Sequence, residues 1–127
     1  MKPVVVKTGD KSGTMQASFG GVEVIIDRAE ESGPRSVEFL MAGLGACTYS
    51  TVSHYMKRKG LPLEGLSIEL SADKAESENL YDRIQLKLTV SDEIPAKEKS
   101  IILNTAKTCR IHKTLKNNPD ISIDINL

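Results

Sequence analysis

Alternating apolar residues towards both ends of the chain, around one long stretch with helical spacing, predict an α+β fold. Near the N-terminus Met15, Ala17 and Phe19, then Val22, Val24 and Ile26, alternate with polar or small residues, the period-2 pattern of half-buried strands. In the middle Val37, Leu40, Met41, Leu44, Cys47, Thr48, Thr51, Val52 and Tyr55 recur at spacings of three and four. That period belongs to a helix. The strands do not alternate regularly with helices, so an α+β arrangement is expected rather than a parallel βαβ sheet.

Taken in order, Lys2 to Thr8 reads as a first strand, closed by a Gly9-Asp10-Lys11-Ser12-Gly13 turn. Gly20-Gly21 separates the next two alternating runs and predicts a tight hairpin, because glycine tolerates the positive φ that such turns need. Arg28 to Gly33 is a polar connection. The helix from Ser36 to Gly60 carries only one charge, Glu38, between Val37 and His54. It is expected to be buried all round. Gly43 and Gly45 each cost about 1 kcal/mol relative to alanine inside a helix, which implies that another backbone approaches there, from a second copy or from a packed sheet. Lys57-Arg58-Lys59-Gly60, with Pro62 beyond, ends the helix: cations suit its dipole and glycine suits its cap. Leu66, Ile68 and Leu70, then Ile84, Leu86, Leu88 and Val90, alternate as two antiparallel strands. Pro95 opens a helix that Asn117-Asn118-Pro119 stops, and Ile121, Ile123, Ile125 and Leu127 read as a final strand. The expected order is N-terminal antiparallel strands, a long buried central helix, and a β-β-α-β C-terminal half.

The 127 residues suit one domain, 1–127, with 39% hydrophobic and 27% charged residues. Seventeen lysines and arginines balance seventeen aspartates and glutamates. Nucleic-acid binding needs a clustered basic excess, and the one dense run, Lys57-Arg58-Lys59, is explained by a helix end. No apolar stretch approaches the roughly 20 residues of a membrane span. The first residues carry no signal-peptide core, which predicts a cytoplasmic location. Neither a membrane nor a nucleic acid is an expected partner.

Two cysteines, Cys47 and Cys109, stand far apart in the chain. They form neither a CxxC motif nor a zinc-knuckle pair. Periodicity alone is satisfied by Cys47 as a core residue, since free cysteine often behaves as a small hydrophobe. Cys109 and His112, three apart, could make half a metal site, but His54 cannot complete it locally. His112 as an ordinary polar helix residue is the preferred reading, and neither a metal nor a cofactor is expected.

Pro34-Arg35-Ser36-Val37-Glu38-Phe39-Leu40-Met41-Ala42-Gly43-Leu44-Gly45-Ala46-Cys47-Thr48 resembles the first signature of the OsmC/Ohr family, and Ala106-Lys107-Thr108-Cys109-Arg110-Ile111-His112-Lys113-Thr114-Leu115 resembles the second. The likeness runs over essentially the whole chain. It implies an OsmC-like fold, an intertwined homodimer with sites at the subunit interface, and, in peroxidase members, thiol-dependent reduction of hydroperoxides by a two-cysteine mechanism. Carried over, Cys47 would be the peroxidatic residue and Cys109 the resolving one, with an external thiol as reductant. Glu38 would take the place of the glutamate that orients an arginine against the thiolate. That arginine sits in a Thr-Gly-x-x-x-Gly turn in peroxidase members. The turn here is Thr8-Gly9-Asp10-Lys11-Ser12-Gly13, which puts Lys11 in its place and leaves Arg28 and Arg35 as substitutes. Lysine keeps the charge but lacks the bidentate fork. Apolar residues along the cysteine helix favour organic peroxides. The alternative is a non-catalytic module of the same fold that binds a small apolar ligand in the interface pocket.

Overall fold

Three short antiparallel strands open the chain in the computed structural model, which describes residues 1–125. Strands β1 (Val5–Thr8), β2 (Thr14–Ser18) and β3 (Glu23–Asp27) form a sheet in that order. The turn between β1 and β2 is closed by the Gly9 amide donating to the Thr14 carbonyl (3.0 Å), and by the Thr14 hydroxyl donating to the Lys11 carbonyl (2.7 Å). The β2–β3 hairpin is the one expected at Gly20-Gly21. The Phe19 amide donates to the Val22 carbonyl at 2.8 Å, and Gly20 takes φ +79°, which a Cβ would resist. After β3, Asp27 organises the polar connection: its carboxylate accepts the Ala29 amide, the Ser32 amide and the Ser32 hydroxyl at 2.8–3.0 Å.

Helix α1 (Ser36–Arg58) follows, close to the span expected from periodicity. In its first turn Glu38 accepts the Arg35 backbone amide (2.9 Å), the carboxylate half of a capping box. Its C-terminus is a Schellman motif. Gly60 sits at φ +68°, the Leu61 amide donates to the Met56 carbonyl (2.9 Å), and the Gly60 amide donates to that of Lys57 (3.1 Å). Strands β4 (Ser67–Lys74) and β5 (Tyr81–Thr89) pair antiparallel with Ile68 opposite Leu88 and Leu70 opposite Leu86. The chain divides into two compact units, Met1–Ala42 and Gly43–Leu127, with α1 beginning in the first and running on into the second. The core of the second unit gathers Val52, Tyr55 and Met56 of α1 with Ile94, Ile102 and Ala106. Tyr55 also ties α1 to the next helix, its hydroxyl donating to Glu98 at 2.8 Å.

Three expectations are corrected. The helix expected after Pro95 is two helices, α2 (Ala96–Ala106) and α3 (Arg110–Lys116). At the break the Thr108 hydroxyl and amide both donate to the Thr105 carbonyl (2.7 and 3.0 Å), a local bond that competes with continued helix. Cys109 therefore caps α3 rather than lying within it. The central helix is not covered all round either. Leu40 is 47% and Tyr49 42% exposed, and Ala42, Gly43, Ala46 and Ser50 are open as well; lack of charge in the sequence does not by itself supply a cover. Finally, residues 117–125 form no strand. Ile121, Ile123 and Ile125 are 79–92% exposed, because alternation makes a strand only where a sheet edge accepts its backbone groups. Leu127, the last residue of that expected strand, lies outside the described residues.

Candidate functional site

Two elements of the second unit bring the cysteines together. Cys47 lies in the middle of α1, and the break between α2 and α3 carries Cys109 towards it: Thr108, Arg110 and Ile111, on either side of Cys109, border the same cavity as Cys47, and the Cys47 thiol is among the groups that lower the Cys109 pKa. Both are free. Their surroundings differ. Cys109 is fully buried, 0% exposed, whereas Cys47 is half-buried and opens into a cavity of about 520 Å³.

Burial pushes the Cys109 thiol up, but hydrogen bonding outweighs it. The Cys47 thiol, the His112 amide, the Thr48 hydroxyl and the Ile111 amide all favour the thiolate, and the net direction is down. The capping position is what allows this, since the first amides of α3 have no carbonyl of their own to bind. Thr48 is 1% exposed, and its hydroxyl donates to the Leu44 carbonyl at 3.0 Å; with one proton to give, it can serve Cys109 only by leaving that carbonyl.

The cavity at Cys47 is walled on the α1 side by Ser50 and Thr51 and on the other by Thr108, Arg110, Ile111 and Lys113. This wall is polar and cationic, with a single large apolar side chain, contrary to the apolar lining expected from the helix sequence. Arg110 and Lys113 were not among the cations expected to serve Cys47. The available signal was Arg110 standing directly after Cys109, which becomes informative only once the start of α3 is seen to border the Cys47 cavity.

The remaining expected site residues lie in the first unit. Glu38 holds Arg35 by its backbone amide and also, at 3.4 Å, by its guanidinium, which pairs in turn with Glu30 at 3.0 Å. The Arg35 amide is the main cause of a lowered Glu38 pKa; partial desolvation opposes it and the guanidinium adds to it. Lys11 is exposed in the β1–β2 turn and borders a small cavity of about 150 Å³ with Gly9 and Thr14. Arg28 is exposed. In the second unit His54 is exposed on α1, and His112 borders a separate cavity of about 400 Å³ lined by Leu44, Leu86 and Leu115 together with Asp82, Arg83 and Lys116. Among the described residues, no three histidines, cysteines or carboxylates gather as a metal site would require, and no helix is long and apolar enough to cross a membrane.

Residues 29–124 match the family described as OsmC-like protein. No curated protein matches. The chain is similar to the crystal structure of an OsmC-like protein from Mycoplasma pneumoniae, with 18% identity and a TM-score of 0.76 over 91% of this chain and 87% of that one. It is similar to a hypothetical protein from Aquifex aeolicus, with 20% identity and a TM-score of 0.77 over 93% and 89% of the two chains. Similarity extends to the organic hydroperoxide resistance protein OhrB of Bacillus subtilis, at 20% identity and a TM-score of 0.62 over 91% and 90%. At such identities the shared property is the fold.

Proposed function

The chain belongs to the OsmC-like protein family, and on that premise we propose that it is a thiol-dependent hydroperoxide reductase. The observation that carries this reading is the unequal cysteine pair: Cys47 opens into a cavity bordered by the residues that flank Cys109, while Cys109 itself is fully buried. A thiolate rather than a thiol is the nucleophile. In this reading Cys109, held towards its thiolate form, accepts the Cys47 proton as Cys47 attacks. Cys47 sulfur takes the distal oxygen of the hydroperoxide, the O–O bond breaks, and the leaving alkoxide is protonated to an alcohol. Cys47 is then a sulfenic acid. Cys109 sulfur attacks it, water leaves, and an intramolecular disulfide remains. An external dithiol reduces that disulfide by exchange and is itself oxidised.

Glu38 keeps the family's role of anchoring an arginine, and Arg35 is the arginine it holds. The working unit is one OsmC-like domain, 1–127, acting as a homodimer in the cytoplasm, where thiols stay reduced. The name of the Bacillus subtilis relative, organic hydroperoxide resistance protein, supports the choice of substrate.

The test is hydroperoxide consumption with a dithiol reductant. Wild type should turn over, Cys47→Ser should lose nearly all activity, and Cys109→Ser should complete one turnover and stall as a sulfenic acid that dimedone traps. No consumption by wild type would leave as the better reading the non-catalytic module that binds a small apolar ligand in the dimer-interface pocket.

A further inference from the structure

The wall facing Cys47 has an unusual chemistry for a site that would take neutral organic peroxides. Arg110 and Lys113 lie three residues apart on α3, hence on one helix face. Both are exposed, and both border the Cys47 cavity. Neither forms a salt bridge among the described residues. Among the described residues no carboxylate borders the cavity, and Ser50, Thr51 and Thr108 add hydroxyls to its rim. The arrangement is held in place by the fold around the site: Arg110 follows Cys109, the N-cap of α3, directly, and borders the same cavity as Cys47.

We propose that Arg110 and Lys113 form an anion-recognition wall, so that the molecules which reach Cys47 carry a carboxylate or similar anionic group close to their reactive atom. For the peroxidase reading, on which the word substrate rests, this names the class: a small hydroperoxide bearing an anionic group near its O–O bond. Arginine supplies a planar fork for two oxygens, and lysine adds a point charge one turn away. Both raise the local concentration of an anion in the cavity before any bond changes. In this part of the site they serve as specificity residues, while the sulfur chemistry stays with the cysteines.

The wall can be read without any peroxide. Iodoacetate and iodoacetamide have nearly the same size and lose iodide to the same thiolate, forming a thioether; they differ in charge. Their rate ratio at Cys47, followed by mass spectrometry and divided by the same ratio in the denatured chain, cancels the thiolate fraction. Two cations bordering the same cavity as the thiolate should raise that normalised ratio about tenfold, roughly threefold for each. Arg110→Gln and Lys113→Gln should each remove about threefold, Arg110→Lys should retain most of the preference, and 0.5 M salt should reduce it. A wild-type ratio equal to that of the denatured chain would overturn the proposal, as would a preference that survives removal of both cations. Far-UV circular dichroism of each variant keeps a folding defect from passing as a result. The outcome is independent of turnover: absent peroxidase activity leaves the anion preference standing, and active enzyme without the preference removes only the wall.

Discussion

Cys109 shows how a buried thiol can be held towards its charged form. Desolvation alone would raise its pKa, yet the Cys47 thiol, the Thr48 hydroxyl and two amides at the start of α3 outweigh it and lower the pKa. Removing one donor should move the titration upwards. Thiolate absorbance near 240 nm should show the first deprotonation of the cysteine pair below the range of an ordinary thiol, and Thr48→Val should shift it to higher pH. Identical midpoints would mean that the hydroxyl proton stays on the Leu44 carbonyl. The sign for stability follows from the same shift. A folded pKa below the unfolded one stabilises the fold once pH exceeds the unfolded thiol's pKa, and that gain is lost as pH falls through the folded pKa. Asp27 follows the same logic at acid pH. Its three hydrogen-bond donors, led by the Ala29 amide, lower its pKa, so the stability difference between wild type and Asp27→Asn should shrink as pH drops from about 5 towards 2. Chemical denaturation across that range measures it.

At the scale of elements, the two glycines within α1 have different neighbours. A Cβ on Gly45 would lie 2.7 Å from the Leu70 Cδ1 of β4, whereas a Cβ on Gly43 would meet nothing within 4 Å. The backbone approach expected at both glycines is not what is found: at Gly45 a side chain of the packed strand, Leu70, comes close instead, and at Gly43 no described atom of the chain does. A leucine methyl can swing aside, and alanine regains about 1 kcal/mol of helix propensity. Gly45→Ala should therefore be nearly neutral. Gly45→Leu, by contrast, has to displace Leu70 altogether and should cost about 1–3 kcal/mol through overpacking. Urea denaturation of both variants decides it, and equal stabilities would show that β4 yields freely. The same scale explains why one expected helix became two: local bonding by Thr105 and Thr108 is invisible to a period count, which sees only that apolar residues continue at helical spacing.

For the whole molecule, the exposed apolar surface is the main fact to account for. Gly43, Ala46 and Tyr49 form an uncharged open face on α1, and Ile121, Ile123 and Ile125 project from a segment without strand pairing. A contiguous apolar face of this kind points to a partner, and a second copy is the occupant we propose. Sedimentation should find two chains per particle at micromolar concentration, with a melting temperature that rises with protein concentration. Gly43→Leu should weaken the dimer while leaving the separate chain folded, because its side chain meets open space there. A well-folded monomer at that concentration would contradict the proposal.

Periodicity, turn residues and helix stops determined most of the element order by themselves. The Gly20-Gly21 hairpin, the span of α1 with its Gly60 cap, and the β4–β5 pairing all follow from constraints within a few residues, and these act before any tertiary contact forms. The two signature segments likewise pointed to Cys47 and Cys109 as the residues to watch. Only the tertiary structure decided that Cys109 is buried as a helix cap, that Thr48 and two amides serve it, and that Arg110 and Lys113 wall the Cys47 cavity. Those relations join residues some 60 positions apart, as Cys47 and Cys109 are, through the α2–α3 break, and no spacing rule reaches that far. The terminal isoleucines mark the same boundary from the other side: their alternation is written in the sequence, but a strand exists only where another edge accepts its hydrogen bonds.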